Sequence, residues 1–244
     1  MNSPDYAVPL VLAEPEAPSW GFREIFVVIA VFLVSLGVVA GGAGSLLGDR
    51  AKEGVWTVAV QALAYGLMLL SMKVMFFWKQ QPLFRSLGWT PTVYSFRALA
   101  GIGFSLFLMS VVLQFVLRTP DVTTPFEKML LSDTASRIAI TVFGITLGPA
   151  IEELLFRGFL QPVLVHVAGV FPGILITAAV FGGMHLAQNA DIWQSGVIIT
   201  MAGFGFGMIR HITGSTQAST IAHIAYNTIP FLATTIAGTQ PAPK

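Results

Sequence analysis

The sequence predicts an all-α fold, a polytopic bundle of about seven transmembrane helices. Three observations carry this. Of the 244 residues, 55% are hydrophobic and only 10% are charged, against about 25% charged in soluble domains. The mean hydropathy is +0.76. The apolar residues fall into runs close to the roughly 20 residues that a spanning helix needs, and no segment alternates as a barrel strand would. Lipid admits only helices or closed barrels, because every backbone polar group must be satisfied within the protein. Helices follow.

Taken in order, residues 1–22 contain four prolines and no basic n-region, so they read as a short tail and not as a signal peptide. The candidate spans are 25–47, 55–77, 98–117, 138–160 (extending towards 167), 172–187, 196–209 and 218–237. The fifth and sixth are short. The expected organisation is therefore a tail (1–22), amino-terminal transmembrane helices (23–134), a carboxy-terminal transmembrane core (135–237) and a tail (238–244). The second connection holds Lys79, Arg85 and Arg97, with Lys73 just before it and no acid. By the positive-inside rule it is the best cytoplasmic candidate. With seven spans that puts the amino terminus inside and the carboxy terminus outside. Trp89 and Tyr94 in the same connection suit an anchor at headgroup level.

Composition also excludes. There is no cysteine, so neither a disulfide nor a thiolate nucleophile is available. The net charge is +1 with no basic patch, so nucleic acid is not an expected partner. The bilayer is.

The stretch GPAIEELLFRGFL, 148–160, puts Glu152, Glu153 and Arg157 in an otherwise apolar span. Each such group costs about 2.5–3.5 kcal/mol at the centre of a membrane helix. They must pair, line a wet cavity, or do chemical work. Glu153 and Arg157 stand at i, i+4 with the acid first, the favourable order for an ion pair, so this pair reads as structural. Adjacent residues on a helix point about 100° apart, so Arg157 cannot easily serve Glu152 as well. A carboxyl group without a partner in a low-dielectric site holds its proton more strongly, which suits a general base working near neutral pH. A mouth where both glutamates are solvated is the competing explanation.

Four histidines occur. His185 lies four residues after Phe181 near the end of the fifth span. His223 lies early in the last span with Asn227 four residues on, hence on the same helix face. The fourth and fifth spans form a hairpin with its turn near 168–173. At 1.5 Å per residue, Glu152 lies about 29 Å before that turn and His185 about 21 Å after it, a mismatch of about 8 Å that a tilt or kink can close. His166 and His211 flank turns and have no polar partner at helical spacing, so they read as interfacial.

These residues carry a resemblance. E-E-x-x-x-R (Glu152, Glu153, Arg157) with Gly158, F-x-x-x-H (Phe181, His185) and H-x-x-x-N (His223, Asn227) after Thr213-Gly214-Ser215 resemble the signature set of the CAAX-protease and bacteriocin-processing family, also called CPBP or Abi. It covers roughly residues 135–235. The resemblance implies an intramembrane endopeptidase in a bacterial inner membrane, acting on a membrane-associated peptide or protein, prenylated in some members. It implies that Glu152 and His185 activate a water, that His223 and Asn227 donate to the oxyanion, and that Glu153 and Arg157 support the site. Peptide hydrolysis needs such a base, water and donor set, and no G-x-S-x-G offers a nucleophile instead. Glu152, His185 and His223 are also a set that zinc could use. No H-E-x-x-H is present, and Asn227 one turn after His223 suits an oxyanion role better. The favoured expectation is no cofactor and no metal. Two alternatives stay open from the residues alone: a non-catalytic membrane scaffold or immunity protein, and a transporter using Glu152 and the histidines as a proton relay.

Overall fold

The computed structural model describes residues 17–186 and 192–237. Residues 1–16 of the expected amino-terminal tail, residue 187 at the end of the expected fifth span, and the expected tail 238–244 lie outside the described residues. Among the described residues every regular element is helical. The protein is an all-α membrane bundle.

Helix α1 (Phe22–Leu47) starts where Glu24 Oε2 accepts the Gly21 backbone N–H at 2.9 Å, satisfying one donor that a helix start leaves unpaired. Its other oxygen lies 3.1 Å from Lys79 Nζ, just past the end of α2 (Gly54–Trp78). The two helices thus form an antiparallel pair joined by the 3₁₀ turn Gly48–Lys52. A short helix, α3 (Leu83–Ser86), leads to α4 (Phe96–Val116), whose N-cap Ser95 hydroxyl accepts the Ala98 N–H at 3.2 Å. Another short helix, α5 (Pro125–Leu130), has a reciprocal cap. Thr124 Oγ1 accepts the Glu127 N–H at 3.1 Å, and Glu127 Oε2 accepts the Thr124 N–H at 2.9 Å. Asp133 caps α6 (Thr134–Ile145) by accepting the Ser136 N–H at 2.9 Å. The Ser136 hydroxyl and backbone N–H hold its exposed carboxyl below the usual carboxylate range.

The expected fourth span is not one straight helix. It breaks at Thr146 (φ −129°, ψ −87°) before α7 (Leu147–Glu153). Pro149 has no N–H for the Ile145 carbonyl, and its ring clashes with that carbonyl. After Glu153 the chain widens into a π-helical turn, Leu154–Leu160, and resumes as α8 (Gln161–Ala168). Gly169, at φ +86°, reverses the chain within one residue, so the hairpin expected over 168–173 is tighter than the sequence suggests. Helix α9 (Val170–Met184) returns against α8. Helix α10 (Trp193–Thr213) outruns the expected 196–209, because polar residues at its ends do not stop it. Gly214 stops it, with φ +66° in the left-handed cap that favours glycine. Helix α11 (Thr216–Ala237) follows.

All seven expected spans are helices, but five segments are long and apolar enough to cross a membrane: Phe22–Lys52, Gly54–Trp78, Phe96–Val116, Thr134–Ala168 and Trp193–Thr213. The difference has two causes. Helix α9 has only 15 residues. Helix α11 has 22, but His223, Asn227, Gln217 and its hydroxyl side chains lower its hydropathy. Large apolar side chains such as Phe26, Val34, Val38 and Phe115 lie on the outside, a surface suited to lipid. Inside, Met68, Met72, Phe76 and Phe159 form one core and Leu99, Phe206 and Ala222 another.

The second core brings α4 against α11 at very short range. A Cβ on Gly103 would fall 2.1 Å from the Ala222 carbonyl oxygen, one residue before His223. Gly101, by contrast, has nothing within 4 Å. Gly103→Ala should therefore lower stability by about 1–3 kcal/mol, as overpacking does, whereas Gly101→Ala should be neutral or slightly stabilising, since alanine favours helix over glycine. Unfolding of the two variants in detergent checks this. Equal stabilities would contradict the close approach.

Candidate active site

The site is built where α7, the π-helical turn, α9, α10 and α11 converge. Glu153, the last residue of α7, is fully buried. Its Oε1 accepts from Arg157 Nη1 at 2.9 Å and lies 3.0 Å from His223 Nδ1. A carboxylate oxygen cannot donate, so His223 carries its proton on Nδ1 there. Arg157, also fully buried, donates from Nη2 to the Gly203 carbonyl of α10 at 2.8 Å. Its guanidinium carbon lies 4.6 Å from the Phe181 ring centroid and 5.4 Å from that of Phe206, so aromatic faces meet the cation where no second carboxylate does. Gly203 is needed for this approach: a Cβ there would lie 3.1 Å from Arg157 Nη2.

His223 is buried and stacked on Phe206, ring centroids 4.5 Å apart at 19°. The helix that carries it is fixed at its start. The Thr216 N–H donates to the Gly88 carbonyl at 2.8 Å, its hydroxyl donates to the Leu87 carbonyl at 2.6 Å, and the Ser215 hydroxyl donates to the Thr90 carbonyl. The second imidazole, His185, caps α9. Its Nδ1 lies 2.8 Å from the Phe181 carbonyl oxygen, which again puts the proton on Nδ1.

Glu152 points the other way from Glu153. Its carboxylate is 17% exposed, and Oε2 lies 3.9 Å from His223 Nε2. Glu152, His185, His223 and Asn227 line one cavity of about 320 Å³ between α2, α6, α7, α9 and α11. Glu152 and His185 also line a second, apolar cavity of about 430 Å³ against α1 and α2. Glu152 and His185 share both cavities, and the reversal at Gly169, earlier than the expected centre of the turn, shortens the arm from Glu152 and lengthens the arm to His185. Asn227 donates from Nδ2 to the Gly144 carbonyl at 2.8 Å, so in this structure that hydrogen bond orients its amide at the cavity wall. His166 is exposed at the end of α8, and His211 is half-buried in the last turn of α10. Neither lines the cavities.

Both rings are anchored through Nδ1, which leaves Nε2 as the acceptor of each. That orientation serves a base, and it would also serve a metal ligand. Among the described residues no group of three His, Asp or Glu side chains is spaced to hold a metal.

The fold and site define a polytopic integral membrane protein with a carboxylate–imidazole cluster inside the bundle. Residues 134–229 match the family described as type II CAAX prenyl endopeptidase Rce1-like. That stretch contains Glu152, Glu153, Arg157, His185, His223 and Asn227, and over it the chain is similar to the family whose motifs the sequence resembles. No curated protein and no solved structure matches the chain.

Sequence reasoning missed the contact between His223 and Glu153, which lie 70 residues apart. No local spacing signals it. The geometry makes Arg157→Met a severe change, because it strands the Glu153 carboxylate without its cation. Breaking a buried pair costs about 3–5 kcal/mol, while Glu153→Gln with Arg157→Met should recover part of the loss. Equilibrium unfolding in detergent measures both. A loss below about 1 kcal/mol, the value of a surface pair, would contradict a buried pair.

Proposed function

We propose that the protein is an intramembrane endopeptidase of the CAAX type in which Glu152 acts as general base on water. The observation that carries the reading is the shared cavity: Glu152, His185, His223 and Asn227 come from three separate helical segments and line one space inside an apolar bundle. A membrane-associated protein with a prenylated carboxy-terminal CAAX sequence is the substrate class that the matched family suggests.

In the proposed reaction the water oxygen bonds to the peptide carbonyl carbon while Glu152 takes its proton. His185 holds the water from the other side through Nε2. The tetrahedral oxyanion receives hydrogen bonds from His223 and the Asn227 amide, the electrostatic contribution that usually matters most in acyl transfer. For Nε2 of His223 to donate, the ring must be protonated on both nitrogens. Nδ1 remains on Glu153 throughout; because Glu153 is already paired with Arg157, the positive charge of His223 is met by the Glu152 carboxylate before the attack and by the oxyanion after it. The C–N bond then breaks, and the proton on Glu152 passes to the leaving nitrogen. The products are a carboxylic acid and an amine. No step requires a metal.

The test uses purified protein in nanodiscs and a prenylated CAAX peptide, with fragments identified by mass. Glu152→Gln should cut turnover by about 10²–10⁴, the usual worth of a general base, while folding and peptide binding persist. A chelator should leave wild-type turnover unchanged. Full activity in Glu152→Gln would overturn the role of Glu152. Proton flux without cleavage in proteoliposomes would favour the relay, and tolerance of the substitution in every assay would favour a scaffold.

A further inference from the structure

The amino-terminal half of α2 is apolar except for Thr57, Gln61 and Tyr65, spaced at i, i+4 and i+8 and hence on one face. Thr57 and Gln61 line both cavities, and Tyr65 lines the second together with Glu152. All three lie outside the matched stretch 134–229. The Thr57 hydroxyl is taken up by its own helix, donating to the Glu53 carbonyl at 3.3 Å. The other two make a directed pair. Gln61 Nε2 donates to the Tyr65 hydroxyl oxygen at 3.2 Å. With that oxygen already accepting, the hydroxyl proton is available to an acceptor in the second cavity, whose lining Tyr65 shares with Glu152.

The Tyr65 ring is held firmly enough to matter. It is buried and stacks on Phe32 of α1, with centroids 5.2 Å apart at 22°, and on Phe143 of α6, at 6.3 Å and 16°. Glu152 has a different problem. It stands between two cavities, and among the described residues no arginine or lysine forms an ion pair with it as Arg157 does with Glu153. A carboxylate free to swing between two spaces is a poor base, because general-base catalysis depends on geometry first.

We propose that Gln61 and Tyr65 of α2 form a positioning pair that orients the Glu152 carboxylate towards the shared cavity through the chain Gln61 N–H to Tyr65 oxygen and Tyr65 O–H to Glu152. Neither residue touches the reacting atoms. The catalytic part of this inference rests on the proposed protease reading; the orientation of Glu152 does not.

The experiment uses full-length protein in nanodiscs and the variants Tyr65→Phe and Gln61→Leu. Tyr65→Phe keeps the ring and its stacking, so its thermal unfolding should match wild type. Two readouts follow. The infrared carboxyl band that disappears in Glu152→Gln should shift in Tyr65→Phe, and by less in Gln61→Leu. On the prenylated CAAX peptide, kcat should fall about tenfold or more in Tyr65→Phe, the effect of losing a hydrogen bond to a charged group, with KM within about twofold because ground-state binding is untouched. An unshifted band together with wild-type kcat in Tyr65→Phe overturns the inference. If Tyr65→Phe does not fold, the band in Gln61→Leu decides by the same criterion. If wild type cleaves nothing, the protease reading fails and the infrared arm still decides whether α2 orients Glu152.

Discussion

One carboxylate oxygen, Oε1 of Glu153, takes hydrogen bonds from Arg157 and His223 at the same time, and the interior is organised around it. A buried ion pair can cost more in desolvation than it returns in attraction, unless its geometry is good and its remaining groups are satisfied. Here the arginine also reaches the Gly203 carbonyl and the faces of Phe181 and Phe206, while Arg157 Nε and Glu153 Oε2 find no hydrogen-bond partner among the described residues. The interaction therefore joins α7 and the π-helical turn to α10 and α11, and sets the orientation of His223. Helix–helix attraction in lipid lacks a hydrophobic drive and relies on close packing and polar contacts. The glycines that admit this contact, Gly203 against Arg157 and Gly103 against Ala222, belong to the same design.

Two adjacent glutamates acquire different environments because they are adjacent. Successive helical residues point about 100° apart. Glu153 faces the core, while Glu152 faces the cavities. The break at Thr146 and the wide turn after Glu153 set the level at which both emerge. Short π-helical insertions are frequent at functional sites, and this one also leaves the Phe159 carbonyl to accept the Trp20 indole N–H at 2.9 Å. The segment before α1 is thereby tied to the back of the site.

Much of the fold is legible in the sequence because hydropathy runs report spanning helices directly. The seven runs all became helices, yet run length misjudged α10, whose polar ends are helical, and gave no hint that α11 is too polar to count by composition. Pro149 could have signalled the break at Thr146 through its missing donor. Glu152, His185, His223 and Asn227 were visible as rare ionisable or amide groups at helical spacing, and their levels could be estimated from the hairpin. The bond between His223 and Glu153 was not visible, since contacts across 70 residues leave no local pattern. The polar face of α2 was visible in principle: Thr57, Gln61 and Tyr65 repeat every four residues in an apolar helix.

The most direct test of the account is the protonation pattern of the His223 ring. Nitrogen NMR of protein labelled in its histidines, with the resonance assigned by His223→Gln, reads which ring nitrogen carries the proton. The account predicts protonated Nδ1 in wild type at neutral pH, and loss of that fixed pattern in Glu153→Gln while the protein remains folded. A His223 ring protonated on Nε2 alone, or one indifferent to Glu153→Gln, would contradict it, because the carboxylate at the centre of the bundle would then not be what orients the imidazole at the site.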